Sequence, residues 1–74
     1  MMNILDLIYW EQTSSNFKRG YINNPKKNCW YRVVWETSIN QFNLFIVDHE
    51  TKQSKMKQIN SITEMKEFFN TQYV

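Results

Sequence analysis

The chain has no alanine and only one glycine, one proline and one cysteine among 74 residues. A single cysteine cannot pair within the chain, which excludes a disulfide scaffold; Cys29 fits a reducing compartment. A single glycine, Gly20, cannot build a glycine-rich phosphate loop. No apolar run approaches the ~20 residues of a membrane-spanning helix. The opening Met1-Met2-Asn3-Ile4 lacks the basic head of a secretion signal, and Asp6 interrupts the apolar stretch that follows. The expectation is a soluble, cytoplasmic protein with no membrane partner. Scarce Ala, Gly and Pro beside plentiful Asn, Lys, Ile, Phe and Tyr indicate an AT-rich gene, of the kind carried by low-GC bacteria, their phages and plasmids.

Chemistry-bearing residues are equally sparse. His49 is the one histidine, and it lies 20 positions from Cys29. A structural metal site normally takes four ligands and a catalytic one about three, so no metal centre and no cofactor are expected. Asp48-His49-Glu50 reads as a polar turn. A nucleophilic Cys29 would need a base within hydrogen-bond reach, and nothing in the spacing supplies one; an inert, core-side thiol is the expectation. Glu64 and Glu67 fall on the polar side of a helix. No catalytic residue is assigned, and the sequence reads as that of a non-enzymatic protein.

What is present is aromatic: three Trp, four Tyr and five Phe make up 16% of the chain, and 42% of it is hydrophobic. With a net charge of only +2, that composition argues against disorder. Residues 1–74 form one small domain near the lower size limit for independent folding, so the aromatics must supply much of the core.

Ser61-Ile62-Thr63-Glu64 is a capping box, in which the Ser61 hydroxyl takes the Glu64 amide and the Glu64 side chain returns to the Ser61 amide. Ile62, Met65, Phe68, Phe69 and Tyr73 follow on one helical face, ending near Asn70-Thr71. Cys29–Glu36 and Gln41–Asp48 alternate with period two and are rich in β-branched and aromatic residues, which predicts two strands. Thr37-Ser38-Ile39-Asn40 joins them as a hairpin. After a turn at Asp48–Thr51, Gln53–Ile59 reads as a polar, Lys-rich edge strand. The fold class expected is α+β: a three-stranded antiparallel meander packed on a C-terminal helix. The first 28 residues are ambiguous. Asn3 could cap a helix over Ile4–Glu11, yet Ile8-Tyr9-Trp10 has strand character, and Thr13–Asn16 would turn the chain into Phe17–Ile22. The reading leans to helix, laid across the sheet's second face.

That second face is too apolar for a solvated surface. Tyr31, Val33, Trp35, Phe42, Leu44 and Ile46 are assigned to the C-terminal helix. Trp30, Arg32, Val34, Gln41, Asn43, Phe45 and Val47 are left on the opposite side, where an uncovered patch marks an interaction site. Lys18, Arg19, Lys26, Lys27 and Arg32 form a basic block between two acidic stretches. The candidate binding residues are Trp30, Arg32 and Phe45, with Tyr21, Lys26 and Lys27 from the adjoining loop and Lys55 and Lys57 as secondary basic contacts. Trp, Tyr and Arg dominate interface energetics. The same types stack on bases and neutralise phosphates.

From Trp30 onward, Trp30-x-Arg32-Val33, Asp48-x-x-Thr51 and Ser61-Ile62-x-Glu64-Met65-x-x-Phe68 together resemble a pattern in short stand-alone bacterial proteins of unassigned function. The resemblance covers residues 30–70 and implies their hairpin–strand–helix layout, with no activity attached. Those proteins tend to carry Gly after the Thr, where this chain has Lys52, and their third strand is shorter. The expected function is a small binding protein acting on a larger protein partner, suited to a phage- or mobile-element-encoded regulator of a host protein. The alternatives are a single-stranded RNA or DNA binder using the same patch, and a homodimeric structural module.

Overall fold

The computed structural model describes residues 4–72, apart from the side chains of Gln12 and Gln72; the expected Asn3 cap and the Tyr73 helix position lie outside the described residues. A one-turn helix, α1 (Ile4–Leu7), precedes five strands: β1 (Tyr9–Thr13), β2 (Phe17–Asn24), β3 (Cys29–Glu36), β4 (Gln41–Asp48) and β5 (Ser54–Ile59). Helix α2 (Ile62–Gln72) follows. The strands form one antiparallel sheet in sequence order. The fold is α+β, but the sheet has five strands rather than three. β3 and β4 occupy the residues that alternation predicts, and β5 begins one residue later than expected.

The first correction concerns the N-terminal segment. The helix expected over Ile4–Glu11 makes a single turn, and Tyr9 then starts β1, paired with β2 through Tyr9↔Tyr21 and Trp10↔Gly20. Aromatic residues suit a pleated surface once a neighbouring strand is available, and β2 supplies that neighbour. A register shift between Trp10 and Gln12 marks a bulge. Gly20 explains how the two backbones approach there: a Cβ at residue 20 would stand 2.3 Å from the Tyr9 carbonyl oxygen and 2.9 Å from the Trp10 Cα. The one glycine is therefore spent on a close backbone approach rather than a turn.

With glycine unavailable, the turns are held by side-chain oxygens. Ser14 Oγ accepts the amides of Asn16 and Phe17 between β1 and β2. Asn24 Oδ1 accepts those of Lys26 and Lys27 between β2 and β3. Asp48 Oδ1 accepts those of Glu50 and Thr51 between β4 and β5, at 2.8 and 3.0 Å. Short polar side chains mimic a backbone turn in this way. Among the described residues, two that are not glycine take positive φ: Asn40 at 50° and Lys52 at 64°. Lys52 follows the β4–β5 turn in a conformation that glycine bears without steric cost.

The core lies on one side of the sheet. Ile22, Tyr31, Val33, Phe42, Leu44 and Ile59 meet Met65 and Phe69 of α2, together with Ile4 and Ile8 from the N-terminal segment. Tyr31 packs edge-on against Phe68 and Phe69, with ring centroids 6.1 and 5.0 Å apart, and its hydroxyl accepts from the buried Asn24 Nδ2 at 2.9 Å. Ser61 Oγ accepts the Glu64 amide at 3.0 Å, the first of the two capping-box bonds. Ile4 and Ile8 thus reinforce the side that α2 covers, and the N-terminal segment does not lie across the second face as expected. Among the described residues, no helix is long and apolar enough to cross a membrane.

Candidate interaction surface

Residues opposed across an antiparallel pair point to the same side of the sheet, so the register defines the second face. One row crosses all five strands: Tyr9, Tyr21, Arg32, Phe45 and Met56. Four inter-strand spacings of about 4.8 Å give it a width of ~19 Å. Towards the β2–β3 turn, the next row holds Asn23, Trp30, Val47 and Ser54. On the other side lie Arg19, Val34, Asn43 and Gln58.

The face is apolar and open. Tyr9 keeps 61% of its surface exposed, Tyr21 40% and Met56 59%. Isolated exposed hydrophobics are ordinary, whereas three on a single row make a patch. Phe45 within that row, and Trp30, Val34 and Val47 in the flanking rows, are half-buried. Tyr21 packs against Tyr9 at 5.3 Å and stands edge-on to Trp30 at 6.4 Å. Glu11, Tyr21, Asn23, Trp30, Arg32 and His49 surround a shallow depression of about 370 Å³. His49 Nε2 is 2.9 Å from Asn23 Oδ1, and the His49 amide donates to the Asn28 carbonyl. The β4–β5 turn thereby fixes the β2–β3 turn that carries Lys26 and Lys27.

The structure brings Trp30, Arg32, Phe45 and Tyr21 together on this face and leaves Lys26 and Lys27 exposed at its end. It separates Lys55 and Lys57 from them. Lys55 opposes Ile46 and Lys57 opposes the core residue Leu44, so both stand on the helix side. Lys57 Nζ lies 5.9 Å from the centre of the Phe68 ring. The face that Lys55 and Lys57 share is set by the register with β4, which places Met56 on the open side instead. Lys18 also leaves the basic block, with its Nζ 5.4 Å from the Trp35 ring centre. On the open face, Arg19 and Arg32 are balanced by Glu11 and Glu36.

Sequence reasoning missed Tyr9, Met56, Asn23 and His49. The signal for Met56 was present as alternation within Ser54, Met56 and Gln58; Tyr9 required the N-terminal segment to be recognised as a strand. The Asp48 carboxyl is held below its ordinary value of 3.8, first by the Thr51 amide and then by the Glu50 amide, which makes it a turn anchor. Among the described residues, no group of three or more His, Cys, Asp or Glu is placed to hold a metal ion. Comparison with known protein families, characterised proteins and solved structures finds no match to this chain.

Proposed function

We propose that the chain is a small non-enzymatic binding protein that docks its open sheet face on a larger protein. The observation that carries this reading is the row Tyr9–Tyr21–Arg32–Phe45–Met56, apolar at both ends and left uncovered by both helices. Exposed aromatics with a central Arg are the composition of an interface core. A single-stranded nucleic acid is the weaker occupant. Phosphates call for a continuous cationic track, whereas Lys18, Lys55 and Lys57 face the helix side and two acids offset the two arginines on the open side. A regulator of a host protein, encoded by a phage or mobile element, fits the AT-rich codon signature.

The test is cross-linking in cells of the source. A photoreactive phenylalanine analogue replaces Tyr21 on the face or Glu67 on the exposed side of α2. The expected result is a discrete, nuclease-resistant protein adduct from position 21 and none from position 67. Nuclease-sensitive adducts, adducts of twice the chain mass, or equal labelling from both positions would overturn the reading in favour of nucleic acid, a second copy or no specific partner, respectively.

A further inference from the structure

Arg32 occupies the middle of the open row, paired with Tyr21 on β2 and with Phe45 on β4. It is exposed and has no hydrogen-bond or ion-pair partner among the described residues. Opposed side chains on adjacent strands stand about 4.5–5.5 Å apart at Cβ, so a surface that docks on Tyr21 and Phe45 meets Arg32 between them. Arginine cannot shed its charge, and its five N–H donors accept nothing in return. A covered, unpaired charge is strongly unfavourable, while a carboxylate meets the guanidinium in a two-pronged fit.

Resting on the docking reading above, we infer that the partner is acidic at the point of contact: it presents an Asp or Glu to Arg32, flanked by apolar side chains that lie over Tyr21 and Phe45. Lys26 and Lys27, exposed at the turn end, favour approach by such a segment. A second copy of the chain fits less well. A twofold pairing centred on the row would set Arg32 against Arg32 of its copy.

The probe is a displayed random-peptide library, panned on the full chain, on Arg32→Glu and on Thr63→Glu, an exposed position of α2. Circular dichroism and thermal melting establish that each variant is folded. The wild-type and Thr63→Glu pools are expected to converge on Asp or Glu flanked by apolar residues. The Arg32→Glu pool is expected to exchange the acid for Lys or Arg, and a synthetic acidic peptide should bind Arg32→Glu about tenfold or more weakly. Identical pools on wild type and Arg32→Glu overturn the inference. A pool without acids whose binding still requires Tyr21 and Met56 leaves the docking reading standing and removes the carboxylate. No enriched peptide, or binding that survives Tyr21→Ala and Met56→Ala together, removes both.

Discussion

At the scale of single residues, scarcity assigns the work. Gly20 is where β1 and β2 close on each other, and the Tyr9 carbonyl occupies the space a methyl group would need. That obstacle is backbone, so it cannot rotate away. Gly20→Ala is expected to cost about 1–3 kcal/mol, a fall in Tm of roughly 10 °C for a domain this size, with loss concentrated in β1 amide protection; an unchanged melt would contradict the close approach. Asp48 makes a second, pH-dependent prediction. Its folded pKa is depressed by the Thr51 and Glu50 amides, so the unfolded chain takes up the proton more readily. The stabilisation is complete above the unfolded value, near pH 4, and is lost as pH falls through the lower folded value. The Tm advantage of wild type over Asp48→Asn should be flat above about pH 5 and shrink below about pH 4. A constant difference down to strong acid would refute the anchor.

At the scale of elements, what could be read in the sequence was local. β3, β4 and α2 carry their own evidence, in alternation along Cys29–Glu36 and Gln41–Asp48 and in the Ser61 cap. β1 does not. Its Tyr9-Trp10 pair becomes a strand because β2 is there to receive it, a tertiary cause that propensity over Ile4–Glu11 cannot express. The face that became the candidate surface was legible in Trp30, Arg32 and Phe45; its openness was not, because that depended on where Ile4 and Ile8 packed. β5 shows the same limit. Lys55 and Lys57 were visible as edge protection, and the register gives the mechanism: they are charges placed on the core side of a terminal strand, which discourages another chain from pairing there. Replacing both with Val should leave the strand intact and promote concentration-dependent association in sedimentation velocity. A double variant that sediments as wild type does would show that something other than these charges guards the edge.

At the scale of the whole molecule, a net charge of +2 is distributed over both sides of one sheet. Titrating the intrinsic Trp fluorescence with mixed-sequence single-stranded RNA or DNA should therefore give a flat response, even at low salt. Saturable quenching that weakens steeply as salt rises would mean that the cations act together after all. The topology also has a kinetic side. Every strand pairs with its neighbour in sequence, so each pairing closes only a short loop, and such local closure favours rapid folding. Strands can zip onto a growing chain one hairpin at a time. The helix that roofs the core comes after all of them. A chain whose strands have paired before Met65 and Phe69 dock holds Tyr31, Val33, Phe42 and Leu44 uncovered by α2 on one side. During that interval it is a sticky, two-faced plate open to chaperones and proteases, and the arrival of α2 ends the interval on one side only.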